Sequence, residues 1–315
     1  MRPSRRGSRP RTRRRPAHEN AVTGFVTAVD RGRYRCLVDD RTVTAMRARE
    51  LGRKGVVVGD RVALVGDVSG DPDTLARIVR VHPRSSVLRR TADDTDPLER
   101  VIVANADQLV IVTALADPPP RPRMIDRCLV AAHDAGLRPL LCLTKADLAP
   151  PDALLAIYER LGVPYVVTRH ATELEELRGH LADRVSVLVG HSGVGKSTLV
   201  NALVPGARRA VSEVSAATGR GRHTSSSAIA FRLPDDGWII DTPGVRSFGL
   251  AHVRPEDVVA AFPELAEGVE RCPRGCDHLG PDCALDAWAA EGRADPRRLD
   301  SMRRLLANRA DTDAD

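Results

Sequence analysis

Aromatic side chains are scarce in this chain of 315 residues, at 3%, and so is lysine: of 48 basic residues only Lys54, Lys145 and Lys196 are lysines. With so few aromatic faces, stacking on Phe, Tyr or Trp is not the main way this chain would hold a nucleic acid, and charge must do more of that work. No apolar run approaches the roughly 20 residues needed to cross a bilayer. No apolar segment follows the N-terminal basic cluster, as one would in a secretory leader. A cytoplasmic protein with no membrane contact is expected. Its six cysteines then form no disulfide framework, because a reducing compartment keeps thiols apart. Cys36, Cys128 and Cys142 stand singly in apolar segments and read as small buried hydrophobes.

What is present is arginine, alanine, glycine, proline and valine, with a 42% apolar share that can build two or three compact cores. The net charge of +6 favours a polyanionic partner, and much of the excess sits in Arg2, Arg5, Arg6, Arg9, Arg11 and Arg13–Arg15. Residues 1–18 read as a basic disordered tail, open to two uses: a solvated extension or a contact to RNA. Short β-rich runs at 21–29, 34–38, 61–65 and 76–81 suit a five-stranded OB-type barrel over 19–90. From there the pattern changes to apolar strands at 108–113, 139–143, 185–189 and 238–240, separated by amphipathic helices such as 124–135. This α/β alternation over 91–250 means a mostly parallel sheet covered by helices. Helices at 255–266 and 296–307 bracket a Cys/His cluster and make a helical domain of 251–315. Nothing points to a stable oligomer, and a monomer is expected.

The strongest chemical signal is Gly190-His191-Ser192-Gly193-Val194-Gly195-Lys196-Ser197-Thr198, placed between a strand and a helical run. Strand, glycine loop and helix in that order are the setting a P-loop needs. The glycines let backbone N–H groups turn inward onto a phosphate at a helix N-terminus. Lys196 would bridge β- and γ-phosphate oxygens, and Ser197 would offer its hydroxyl to Mg²⁺. In a chain that uses arginine wherever a generic positive charge will do, a surviving lysine marks a place where the guanidinium fork does not fit. Lys145 is the second such residue, in Thr144-Lys145-Ala146-Asp147 at a strand's C-terminal end, the edge where open α/β sheets bind ligands. The Asp147 carboxylate can accept two hydrogen bonds from the N1–H and amine of guanine, which adenine does not offer, so GTP and GDP are the expected nucleotides. Asp241-Thr242-Pro243-Gly244 ends another strand; Asp241 would hold a Mg²⁺-bound water and the Gly244 N–H would reach the γ-phosphate. Alone, that tetrapeptide is also a plain turn.

These motifs run in the order base loop, P-loop, Asp-x-x-Gly loop, so the chain reads as circularly permuted. The loop after Asp241 then leads directly into the C-terminal region, where loss of a γ-phosphate could move it. A further cluster, Cys272, Cys276, His278 and Cys283, offers three thiolates and an imidazole, enough to close a tetrahedral shell around one structural Zn²⁺ with no open position for catalysis. Three free thiols beside a histidine are the alternative.

Taken together, residues 99–108 (Glu-Arg-Val-Ile-Val-Ala-Asn-Ala-Asp-Gln), the P-loop, Gly221-Arg222-His223-Thr224 and residues 241–249 resemble the RsgA or YjeQ family of small-subunit-dependent GTPases. The resemblance spans about 20–305. It implies an OB barrel, a permuted GTPase domain and a zinc domain, and a factor that matures the small ribosomal subunit late, binds its rRNA, hydrolyses GTP when bound there and then leaves. It also implies that His223 orients the attacking water, since Val245 occupies the position where many GTPases carry a glutamine, and that Thr224 or a hydroxyl among Ser225, Ser226 and Ser227 completes the Mg²⁺ shell. A histidine that merely caps a loop is the other reading of His223. Arg220 and Arg222 suit either transition-state charge or RNA phosphate. The chain departs from the family pattern at Thr144, usually Asn, at His191, commonly Gln and read here as a solvent-facing loop side chain, and in a Cys/His spacing one residue shorter in two places. Two other classes remain to be separated: an ATP-using P-loop enzyme such as a kinase, and a zinc-bearing nucleic-acid binder for which the nucleotide is only a ligand.

Overall fold

In the computed structural model, residues 18–51, 55–91, 99–169, 174–207, 228–242 and 249–310 are described. Strands β1 (Val22–Asp30), β2 (Arg33–Val38), β3 (Arg41–Arg47), β4 (Arg61–Gly66) and β5 (Ala76–Val81) close into a barrel. The ring runs β1-β2-β3-β5-β4 and returns through a β1–β4 pairing, with β3 and β5 parallel and the other pairs antiparallel. Alternation drives it: Val26, Cys36, Val38, Val43, Ala45, Val62, Leu64 and Ile78 point inward and are buried. The tight Arg31–Gly32 and Asp39–Asp40 hairpins take positive φ, which Gly and Asp tolerate. Strand β3 was not among the runs expected, because its outward positions are Thr42, Thr44 and Met46 and its core side chains are small.

A hairpin of β6 (Val87–Arg90) and β7 (Arg100–Ala104) leads into the second unit. Its strands are β8 (Gln108–Ala114), β9 (Arg138–Thr144), β10 (Tyr165–Val167), β11 (Val185–Val189), β12 (Ile229–Arg232) and β13 (Trp238–Asp241), ordered β10-β9-β8-β11-β13-β12. All pairs are parallel except β12–β13. Helices α1 (Pro122–Asp134), α2 (Asp152–Tyr158), α3 (Glu175–Leu181) and α4 (Lys196–Leu203) cover the sheet, whose two faces feed separate cores. The fully buried β8 explains its unbroken apolar run. The P-loop helix opens at Lys196, within the glycine motif itself.

After β13 come α5 (Pro255–Ala260), α6 (Pro263–Val269), α7 (Leu285–Ala290) and α8 (Pro296–Ala310). The single helix expected over 255–266 is two. Pro263 cannot supply the N–H that would continue the first helix and instead sits at the first turn of the second. These helices share one core with α1 and the strands, joining Ile125 and Leu129 to Phe262, Leu265, Leu299 and Met302. Among the described residues, two regions join the barrel to the sheet. Ala28 of β1 bridges Ile229 of β12, with the Phe25 and Trp238 rings in tilted contact at 4.6 Å between centroids. At the second, Asn105 donates from Nδ2 to Gly59 O at 2.9 Å, and Arg84 forks onto Asp60, fully buried, at 2.7 and 2.8 Å. A Cβ at Gly59 would lie 2.0 Å from Ala104 O, so only glycine permits this approach. Residues 99–108 are thus the joint between barrel and sheet. Among the described residues no helix is long and apolar enough to cross a membrane.

Candidate functional site

The nucleotide motifs meet at the C-terminal edge of the parallel strands. Gly190 leaves β11 at φ 150°, where a Cβ would lie 2.3 Å from Val112 O on the neighbouring β8, and Gly193 and Gly195 take φ of 86° and 95°. These conformations turn the loop back over the first turn of α4. Lys196 Nζ donates to Gly190 O and, at 3.0 Å, to His191 O. Burial lowers the pKa of this ammonium, and Asp241 opposes that shift. Ser192, Ser197 and Thr198 are exposed along the loop and helix start, whereas Val194 is buried beneath it. His191 does not face solvent as a loop side chain would. It is 7% exposed, its Nδ1 donates to Ser192 O at 2.9 Å, and its Nε2 is buried without a partner. Burial first, then the Arg121 and Lys196 cations, hold its pKa below 6.5.

The Thr144-Lys145-Ala146-Asp147 loop sits beside this one at the end of β9. Thr144 is buried, and its hydroxyl donates to Val194 O at 2.7 Å, with Thr113 O at 3.3 Å as a second acceptor, so it ties the base loop to the P-loop. Lys145, at φ 59°, donates to Asp117 O. Ala146 N donates to Thr168 O at 3.2 Å, and the Asp147 side chain is exposed beyond the turn. Asp241 ends β13 with Oδ1 buried and without a hydrogen-bond partner; burial raises its pKa, against Lys196 and the Thr242 backbone N–H. An orphaned, buried carboxylate oxygen beside a lysine is what a hydrated divalent cation would satisfy. Thr242 is pinned through its hydroxyl to Leu188 O at 2.7 Å. His223, Thr224 and Gly244 lie outside the described residues.

Two parts of this site went unread in the sequence. Thr168, at the end of β10, accepts from Ala146 and donates to Leu143 O at 2.7 Å, walling the base loop. A three-residue strand carries too little periodicity to reveal this. The second is Asp117–Pro118, in a proline-rich segment without periodicity: Asp117 O accepts from Lys145, and Pro118 Cδ lies 3.5 Å from where a Cβ on Gly193 would be.

The Cys/His group lies between α6 and α7. The four ligand atoms of Cys272, Cys276, His278 and Cys283 fall within 4.8 Å of one another. Cys272 Sγ is 3.8 Å from Cys283 Sγ and 3.6 Å from His278 Nδ1, with Cys283 Sγ 3.8 Å from the same nitrogen. Tetrahedral Zn²⁺ with bonds of about 2.3 Å to sulfur and about 2.0 Å to nitrogen requires edges of about 3.8 Å between sulfurs and about 3.5 Å between sulfur and nitrogen. The donor set and its spacing therefore fit a structural zinc site. His278 takes φ 65°, and its N–H donates to Cys276 Sγ at 3.4 Å. Arg303 of α8 holds the loop from outside, donating to His278 O at 2.9 Å and forking onto Asp286. By contrast, burial pushes the Cys36, Cys128 and Cys142 thiols up to about 12, as suits inert core residues.

The sequence profile described as RsgA GTPase matches residues 81–251. A protein of Pseudomonas aeruginosa (strain LESB58), named small ribosomal subunit biogenesis GTPase RsgA, is 42% identical over 268 residues, covering 82% of this chain and 77% of its own length. Its namesake in Azotobacter vinelandii is 44% identical over 263 residues, covering 80% and 75%. Among solved structures, YjeQ from Thermotoga maritima superposes with a TM-score of 0.70 at 24% identity, over 92% of this chain and 99% of that one. YloQ, described as a circularly permuted GTPase, gives 0.68 at 23% identity, over 95% and 98%. At these identities the structural likeness speaks for the fold, including its permuted strand order.

Proposed function

The chain belongs to the RsgA GTPase family, and on that premise we propose that this GTP hydrolase is a cytoplasmic factor of small-subunit biogenesis, stimulated by the subunit and released from it after hydrolysis. The observation that carries the reading is the meeting of three loops at one sheet edge, with the Thr144 hydroxyl fastening the base loop to the P-loop, in a chain whose relatives are named for that process. Asp147 reads the guanine edge, and Lys145 lies along the base while anchored to Asp117. Two of the three Lys196 donors hold loop carbonyls, and the third serves a phosphate oxygen. Ser197 and Thr224 are the residues that would hold Mg²⁺, with Asp241 holding a water bound to it, and the ion would neutralise charge on the phosphate oxygens. His223 orients the attacking water, and Gly244 donates to the γ-phosphate. The barrel and the helical domain, folded around one Zn²⁺ held by Cys272, Cys276, His278 and Cys283, contact rRNA, and the chain works as a monomer.

Two experiments test this. Asp147→Asn should move preference from GTP to xanthosine triphosphate; unchanged preference would remove Asp147 from base recognition and reopen the ATP reading. Cosedimentation with purified small subunits should be strong with a non-hydrolysable GTP analogue and weak with GDP. Equal pelleting in both states would break the link between hydrolysis and release.

A further inference from the structure

Arg298 sits in an arginine-rich helix that looks solvent-facing, yet its side chain is 2% exposed. It donates to Asp126 of α1 at 2.7 Å through Nη1 and to Glu264 of α6 through Nε, and both carboxylates are buried with it. Its guanidinium carbon stands 4.4 Å from the centre of the Phe262 ring and 5.6 Å from that of Tyr158. Tyr158 in turn donates to Pro122 O, at the first residue of α1, at 3.1 Å. One side chain thus gathers α1, the end of α2, α6 and α8 around a desolvated charge, which tolerates little displacement.

Each end of this assembly touches a functional group. At one end, the loop leading into α1 carries Asp117, which accepts from Lys145 of the base loop, and Pro118, against Gly193 of the P-loop. At the other, α8 carries Arg303, five residues beyond Arg298, which donates to the carbonyl of His278 in the Cys/His cluster. We propose that Arg298 is a positioning residue for nucleotide binding: by locking α8 to α1 it makes the base loop and the metal cluster one mechanical unit, so that each stabilises the other. This route is separate from the Asp241–Gly244 loop, because it reads the base side of the nucleotide and so acts equally on GTP and GDP. Coupling of this kind is reciprocal.

The inference rests on the nucleotide and zinc readings, and its test keeps their failure apart from its own. GDP binding would be measured by calorimetry on wild type and on the charge-free variant Asp126→Asn/Glu264→Gln/Arg298→Met, each zinc-loaded and chelator-treated, with zinc content and melting recorded. In wild type, chelation should weaken GDP binding about tenfold, within the usual range of coupling between sites, and GDP should tighten zinc affinity, read by competition with a chelator, by the same factor. In the variant, one zinc and one GDP should still bind, with affinities in the two states agreeing within about twofold. A wild-type affinity indifferent to zinc, or a variant that keeps the tenfold dependence, overturns the proposal. Should the variant not fold, Arg298→Lys, which keeps the charge but loses the fork, should reduce the wild-type linkage to about threefold, and an undiminished tenfold linkage would count against it. Wild type that binds no zinc, or no GDP, instead removes the reading beneath.

Discussion

Replacing Thr144 with valine isolates one hydroxyl. Valine has the same branching and nearly the same volume, so β9 keeps its packing and no cavity opens. What is lost is the 2.7 Å hydrogen bond to Val194 O, at a residue only 5% exposed. The bond itself contributes about 1 kcal/mol, and a buried carbonyl left without its donor costs about 1–3 kcal/mol. Part of that cost is relieved if the P-loop shifts Val194 toward water, and this relief weakens binding, because the loop must return before phosphate is held. If about 1 kcal/mol separates the two loop positions, the competent fraction falls to roughly one in six and nucleotide affinity falls about sixfold. GTP and GDP should lose equally, since the tie lies between base and P-loop rather than at the γ-phosphate. Titration with a fluorescent GDP analogue, beside urea denaturation, reads both effects, and Thr144→Ser should restore them. Affinity unchanged within twofold, or a serine variant as weak as valine, would refute the claim that this hydroxyl organises the site.

At the barrel joint, Gly59→Ala should cost at least about 2 kcal/mol in denaturant unfolding, from a positive φ and a clash with Ala104 O. Gly66→Ala, at φ 91° but with nothing nearer than 3.8 Å, should cost only about 1 kcal/mol. Equal losses would mean the close approach to Ala104 is unimportant. Cys283→Ser should abolish stoichiometric zinc, measured by atomic emission, and open the 272–283 loop to protease while the barrel stays protected; retained zinc would contradict the ligand set. Folding also depends on His191. Its folded pKa lies below the 6.5 of the unfolded chain, so as pH falls through 6.5 the unfolded chain takes up a proton first and stability drops, whereas above 6.5 it is fully retained. His191→Gln should make that acid-side slope shallower by up to about 1.4 kcal/mol per pH unit. An unchanged slope would assign the acid sensitivity to other groups.

What could be read from the sequence was local in the chain. The P-loop is nine consecutive residues whose glycines are dictated by backbone geometry, and the Cys/His group is four residues able to ligate a metal within twelve positions, so both declare themselves by spacing. Strands β8, β9, β11 and β13 were legible because burial on both faces leaves unbroken apolar runs. Strand β3 and the three-residue β10 were not, since small or polar side chains and short length erase the alternation. The joints were equally hidden. Asp60 and Arg84 are 24 residues apart, and nothing near either marks the other. Arg298 looks like its neighbours Arg297, Arg303 and Arg304, and only tertiary packing singles it out. His191 is the instructive miss: a polar residue in a glycine loop reads as solvent-facing, but the loop folds its side chain inward.

The most direct test is steady-state GTP hydrolysis by the purified protein alone, with small subunits and with large subunits, run beside His223→Ala. Slow turnover alone, strong stimulation by small subunits only, and loss of that stimulation in a variant that still binds GTP are expected. Turnover indifferent to both subunits, or stimulation undiminished by His223→Ala, would contradict the proposed function.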